Sequence, residues 1–175
     1  MADRAMVFID GSNLYHTLKK EYGRTDLDFV KFCAELCGTR QLIRVYYYNA
    51  TVDATKEPVR HKDQQKFFQR IRRLPHFEVR LASLVYRNWP TVPPYEKGLD
   101  IKLATDLLVH AFRQNYETAV LVSGDNDFAD ALQAAKDFGR NAEVALFHPA
   151  GSQKLRDVAD RIIEVDSAFL SACWA

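Results

Sequence analysis

The run Val7-Phe8-Ile9 ends in Asp10 and continues as Gly11-Ser12-Asn13. A second apolar run, Val120-Leu121-Val122, ends in Ser123-Gly124-Asp125-Asn126-Asp127-Phe128. This puts two carboxylates one residue apart behind a glycine that permits a tight turn. A third acidic source is Asp100, in Lys97-Gly98-Leu99-Asp100, where a carboxylate also suits the cap of the helix that follows. Asp-Gly after a strand is often only turn chemistry. What lifts the set is that two acidic motifs each terminate a strand-like run. Carboxylates at short range repel, and one takes up a proton unless a cation neutralises them. With little base nearby, the expected cation is hard and divalent, Mg²⁺ or Mn²⁺. Such an ion lowers the pKa of an attacking water and screens charge on phosphoryl oxygens; a second ion would stabilise the leaving oxygen. Asn13 adds a neutral oxygen for the metal or a contact for a phosphate.

For these residues to meet, their strands must be neighbours. Five runs read as strands: Ala5–Ile9, Leu42–Tyr48, Ala119–Val122, Ala142–Phe147 and Arg161–Val165. Helical patterns lie at Phe29–Cys37 (after Asp26 and Asp28, before Gly38), Val59–Leu74, Ile101–Phe112 and Phe128–Phe138. Alternation of this kind predicts an α/β fold with right-handed crossovers and a parallel sheet. Continuous apolar strands predict helices on both faces. In an open parallel sheet the ligand crevice lies at the carboxyl ends of the strands, where Asp10 and Asp125 would converge. The proline-rich stretch Asn88–Gly98 reads as a mobile loop beside that crevice.

With 175 residues, 47% apolar and 27% charged, the sequence reads as a single globular domain spanning 1–175, without linker, repeat or low-complexity segment. Three cysteines and no signal-peptide pattern predict a reducing, cytoplasmic setting, and no run is long enough to cross a bilayer. The net charge of +1 names no partner, but its distribution is uneven. Between Lys56 and Lys97 there are ten basic and four acidic residues; the remainder has fourteen and nineteen. A basic middle with acidic flanks suits a polyanionic partner. Lys62, Lys66 and Arg70 follow one another at four-residue spacing on one helical stripe, with Arg73 beyond. Arg80, Tyr86, Arg87 and Trp89 then alternate cations with aromatics, which suits single-stranded RNA. Tyr46-Tyr47-Tyr48 could add a stacking ring, although strand alternation sends Tyr47 to the opposite face.

The blocks Val7–Asn13, Lys97–Asp100 with Asp106, and Leu121–Phe128 resemble the NYN domain family, most of all its small LabA-like branch, within the PIN-like nucleases. The resemblance runs over residues 5–166, with the three blocks in order. It implies a three-layer α/β/α sandwich whose central parallel strands are ordered 3-2-1-4-5. It also implies an acidic, Mg²⁺- or Mn²⁺-binding ribonuclease pocket. Carried over by position, Asp10, Asp100, Asp125 and Asp127 are the acidic set, and Asn13 orients metal or phosphate. Ser123 either hydrogen-bonds Asp10 or contacts metal-bound water. Asp106 matches the family's helix pattern, but six positions from Asp100 turn it about 240° around the helix, which favours a structural part. Lys97 stands where a loop lysine could meet a phosphate.

These readings converge on a metal-dependent ribonuclease, an endonuclease hydrolysing RNA through a metal-activated water, with Lys62, Lys66, Arg70, Arg73, Arg87 and Lys97 holding single-stranded RNA. The alternative is a non-catalytic RNA-binding or regulatory adaptor on the same fold. A receiver-like phosphoacceptor wants a lysine after the fifth strand, where Phe147-His148-Pro149-Ala150-Gly151 has none. Toprim-type chemistry wants a glutamate where Asp10 stands. Cys33 and Cys37 share a helical face without further ligands at zinc-site spacing and read as small buried hydrophobes. The five histidines form no ligand motif.

Overall fold

The computed structural model describes residues 3–147 and 151–175. Most of the segment where a receiver-type lysine would stand, residues 148–150, lies outside the described residues. The elements are β1 (Arg4–Asp10), α1 (Gly11–Tyr22), α2 (Phe29–Cys37), β2 (Gln41–Thr51), α3 (Pro58–Arg72), β3 (Phe77–Val85) and β4 (Tyr95–Glu96). There follow α4 (Leu99–Phe112), β5 (Thr118–Val122), a 3-10 turn (Asn126–Phe128), α5 (Ala129–Asp137), β6 (Asn141–Leu146), α6 (Gln153–Val158), β7 (Arg161–Glu164) and α7 (Ser167–Ser171). Among the described residues seven strands form one sheet, ordered β4-β3-β2-β1-β5-β6-β7. Every pairing is parallel except β3 with β4 at the edge. With the two-residue β4 set aside, β3-β2-β1-β5-β6 is the expected order 3-2-1-4-5, and β7 extends it.

The apolar runs of β1 and β5 are buried, as two covered faces require. Ala5, Val7 and Ile9 pack into the layer with α1, α2, α3 and α7, while Met6 and Phe8 face α4, α5 and α6. Phe8 is fully buried, so truncation to alanine should cost about 3–5 kcal/mol. Asp28 caps α2 by accepting from the N–H groups of Val30 and Lys31 at 3.0 and 3.1 Å, and Gly38 closes that helix at a φ of +57°. No helix among the described residues is long and apolar enough to cross a membrane.

Among the elements that escape the sequence patterns are β3 and α1, besides the short β4, α6 and α7. In β3, Val79 and Leu81 pack on the core while Glu78 and Arg80 form ion pairs on the other face, so the strand reads as part of a charged segment. In α1, Leu14 and Leu18 are the buried large side chains, too sparse a stripe to announce a helix. The tyrosine trio is also corrected. Tyr46, Tyr47 and Tyr48 are all buried in the sheet core, and none is open to stack on a base. Cys33, Cys37 and Cys173 are free and buried. Burial pushes the Cys33 thiol well up and the Cys37 thiol to about 11, the unreactive state of a core cysteine.

Candidate active site

Strand β1 lies directly beside β5, with Ile9 level with Val122, so Asp10 and Ser123 emerge together at the carboxyl edge. Asp10 is also the N-cap of α1, its Oδ1 accepting from the Asn13 N–H at 3.1 Å. Its Oδ2 accepts from the Ser123 hydroxyl at 3.1 Å, and that hydroxyl oxygen accepts from the Asp125 N–H at 3.1 Å. Asn13 Oδ1 accepts from the Gly124 N–H at 3.2 Å, tying the start of α1 to the loop after β5. Gly11 is needed for close approach: a Cβ there would come within 2.3 Å of Tyr47 Cζ and 2.5 Å of the Tyr48 carbonyl oxygen. Gly124 does not adopt a positive φ, so no turn geometry requires it. Its carbonyl instead accepts from the Ser152 hydroxyl at 2.5 Å.

These contacts frame an open crevice of about 480 Å³. Asp10, Asp100 and Asp125 line it, joined by Glu96 from β4. Asp10 is only 7% exposed, and burial raises its carboxyl to about 6. The Asn13 N–H and Ser123 hydroxyl oppose that rise, and the charges of Glu96 and Asp100 add to it. Asp100 is raised by burial and by the charges of Asp125, Glu96 and Asp127. It does not cap its helix. Gly98, at a φ of +78°, holds the N-cap position of α4, and Asp100 sits in the first turn without a capping bond. Asp125 caps the 3-10 turn, accepting from the Asp127 N–H at 2.9 Å. Asp127 departs from the expected set: it is exposed, is not part of the lining, and reaches the site through its charge on Asp100. Among the described residues no three His, Cys, Asp or Glu side chains close to metal-holding distance.

Asp106 is turned away from this crevice. It accepts from the buried Tyr48 hydroxyl at 2.9 Å and pairs with Arg80 at 3.6 Å, which couples α4 to β2 and β3. The remaining lining comes from α1: Ser12 and Asn13 at its start, then His16, Thr17, Lys20 and Glu21. Sequence reasoning missed Glu96 because the proline-rich stretch hid a strand. It missed the α1 stripe because that helix was not recognised, although Ser12, His16 and Lys20 are spaced four apart.

The basic residues of the segment from Lys56 to Lys97 do not line the crevice. Lys66, Arg70 and Arg73 line a separate depression of about 530 Å³ with Asp63 and Gln69, sharing no residue with the first. Helix α3 leaves the carboxyl end of β2 and feeds the start of β3, so its 15 residues span about 22 Å away from the acidic edge. Lys62 lies near its start, and Arg70 and Arg73 near its end. Arg87 and Lys97 are exposed outside the lining; Lys97 is the chain neighbour of Glu96.

Comparison with known proteins agrees with this architecture. The family model of the NYN domain matches residues 4–166. An uncharacterised protein of Methanocaldococcus jannaschii is 25% identical over 166 residues, which cover 95% of this chain and 57% of that protein. One from Sinorhizobium fredii is 38% identical over 74 residues, or 41% of this chain and 35% of that protein. The chain thus spans little more than half of one relative and about a third of the other. A crystal structure of a protein of unknown function from Vibrio parahaemolyticus has the same fold, with a TM-score of 0.69 at 20% identity and 96% of each chain covered.

Proposed function

This chain belongs to the NYN domain family, part of the PIN-like nuclease superfamily, and on that footing we propose that it is a divalent-metal-dependent endoribonuclease. The observation that carries the reading is the meeting of Asp10, Asp100, Asp125 and Glu96 on one open crevice at the carboxyl edge. Burial raises Asp10 and Asp100 and the neighbouring carboxylate charges add to it, the frustration expected of a carboxylate set built to share a cation. All the donors are hard oxygens, which fits Mg²⁺ or Mn²⁺. Asp10, Asp100 and Asp125 would hold the ion, with Glu96 beside them and Asp127 contributing charge from the rim. A bound ion supplies a lowered pKa for the attacking water and screens the charge that builds on the phosphoryl oxygens.

The chain's own groups do the positioning. Ser123 keeps the Asp10 carboxyl oriented and, by donating to it, favours its ionised form. Asn13 uses its side-chain oxygen on the Gly124 N–H, which leaves its NH₂ group as a donor for a phosphate oxygen. That makes Asn13 a phosphate-orienting group and a brace between loops. Lys62, Lys66, Arg70 and Arg73, with Arg87, would hold more distant parts of an RNA strand, and Lys97, next to Glu96, a phosphate nearer the crevice.

The test is Mn²⁺-dependent cleavage of an end-labelled single-stranded RNA and of its circular form. Cutting of the circle identifies an endonuclease. Asp125→Asn should lower turnover by orders of magnitude while leaving the fold intact by circular dichroism. Binding without cleavage, under both Mg²⁺ and Mn²⁺, would convert the reading to an RNA-binding adaptor.

A further inference from the structure

The acidic crevice poses a problem for its own substrate. Five carboxylates, those of Asp10, Glu21, Glu96, Asp100 and Asp125, line it and repel an RNA strand everywhere except at the ion, so the flanking nucleotides need another purchase. The crevice extends along α1, where Ser12, His16 and Lys20 recur every fourth residue and therefore share one face. From Ser12 to Lys20 that stripe runs about 12 Å. Lys20 is the lysine in the lining; its side chain is 82% exposed and pairs with Glu21 at 3.8 Å, a weak surface pair that a phosphate can displace. Beside the stripe stands Tyr15, whose ring is left 45% exposed. The Tyr15 ring meets the His16 ring edge-on at 5.6 Å, and Lys19 hangs over it at 5.9 Å. His16 and Lys20 line the crevice, and Tyr15 and Lys19 stand on the adjoining exposed face of α1. Aromatic rings flanked by lysines form the combination that binds single-stranded nucleic acid: bases stack and phosphates pair with cations.

We propose that α1 is the track for the RNA strand next to the scissile phosphate, with the Tyr15 ring stacking one unpaired base, His16 set edge-on beside that ring, and Lys19 and Lys20 holding the adjoining phosphates. The proposal rests on the nuclease reading of the acidic crevice. It separates two basic surfaces: α1 sets the register of the strand at the site, whereas α3 grips RNA at a distance. It also gives the crevice a preference for unpaired RNA, because a base held in a duplex cannot reach the Tyr15 ring.

The experiment uses the whole chain and a fluorescein-labelled single-stranded RNA of ten nucleotides. Binding is read by anisotropy without metal and cleavage with Mn²⁺. Tyr15→Ala should weaken binding about 5- to 150-fold, the range of one missing base stack, and Tyr15→Phe should restore it. Lys19→Ala with Lys20→Ala should lower the salt slope of binding by about 0.7 for each phosphate left unpaired. An RNA carrying a single abasic position, scanned along the strand, should bind the unmutated protein less well at one position and Tyr15→Ala equally at all. Circular dichroism confirms that the variants are folded. If the unmutated protein cuts this RNA and Tyr15→Ala and the double lysine variant bind and cut it equally well, the α1 track is wrong and the nuclease reading stands. If the unmutated protein neither binds nor cuts RNA, both fall.

Discussion

The Ser123 hydroxyl stands between two carboxylate residues, donating to Asp10 Oδ2 at 3.1 Å and accepting from the Asp125 N–H at 3.1 Å. One oxygen therefore fixes the Asp10 side chain of β1 and the backbone that carries Asp125 out of β5. A small change at position 123 should reach both.

Ser123→Ala removes the hydrogen bond that favours ionised Asp10, so the Asp10 carboxyl should rise above its present value of about 6. The acidic limb of the Mn²⁺-dependent rate profile should then move to higher pH. The unpartnered Asp125 N–H should cost about 1–3 kcal/mol of stability. Ser123→Thr, which keeps the hydroxyl, should restore the profile. An unchanged acidic limb in Ser123→Ala would mean that Asp10 ionisation does not limit the rate.

Asp10 makes the metal-free protein pH-sensitive in a defined direction. Its carboxyl is raised from 3.8 to about 6, so its contribution to stability is full below 3.8 and is lost as pH rises through 6. The difference is on the order of 3 kcal/mol. Glu117, held down at about 2 by hydrogen bonding to Arg4, works in the opposite sense below pH 4. Comparison with Asp10→Asn isolates the first effect. At pH 7 without metal the variant should melt higher than the unmutated protein, and below pH 4 the two should converge. A variant that melts lower at both pH values would show that the charge of Asp10 is not the strained element.

Gly11→Ala tests how tightly α1 is seated. The added Cβ would meet the Tyr48 carbonyl at 2.5 Å, and that atom is backbone and cannot swing aside. Helix α1 must shift, and overpacking of this kind costs about 1–3 kcal/mol. Because Asp10 and Asn13 flank this residue, cleavage should fall further than the melting temperature alone explains. Kinetics and melting of the same preparation give the comparison; parallel small losses would mean that the helix start accommodates the methyl group.

Most of the acidic set was legible because two continuous apolar strands stop at Asp10 and just before the Asp125 loop, whereas the sheet order came with the resemblance to the NYN family and not from the strand patterns, which lacked β3. Val7-Phe8-Ile9-Asp10 and Leu121-Val122-Ser123 are strings that only a buried parallel strand explains. Glu96 was hidden for the converse reason. Its two-residue strand owes its existence to pairing with β3, in the register Leu84 with Glu96, and has no pattern of its own. The α1 residues were obscured by the same kind of dependence: a helix with two leucines on its buried face relies on the sheet to hold it, and its polar stripe acquires meaning only once the crevice is seen. The basic helix was legible as charge, but charge counts carry no direction. Only the path of α3 from β2 to β3 separates Arg70 from the carboxyl edge.

That separation yields a prediction about binding without chemistry. Arg70→Ala with Arg73→Ala removes two exposed cations from the depression on α3. For an RNA long enough to reach it, the salt slope of binding should fall by about 0.7 for each phosphate left unpaired. Turnover of a short RNA that occupies only the acidic crevice should stay unchanged, as should the melting temperature, since exposed substitutions usually shift stability by no more than about 0.5 kcal/mol. An unaltered slope with long RNA would return this helix to the status of a solvated face.

The last prediction concerns the cation. Asp125 lines the crevice and raises Asp100 through its charge. An ion that binds only the folded protein should raise its stability by RT ln(1 + [L]/Kd), about 2.7 kcal/mol at a hundredfold excess over Kd. Asp125→Asn removes one of the repelling charges and one of the oxygens offered to the ion. Its metal-free form should therefore melt higher than the unmutated protein, while its gain on adding Mn²⁺ should shrink. The cap on the 3-10 turn survives, because the asparagine side-chain oxygen can still accept from the Asp127 N–H. Opposite shifts from one substitution are hard to obtain by general damage to the fold, which would lower both. Calorimetry of the two proteins with and without millimolar Mn²⁺ gives all four values. Should Mn²⁺ leave the melting of the unmutated protein unchanged and no RNA be cut, the acidic crevice would be a binding surface rather than a metal centre.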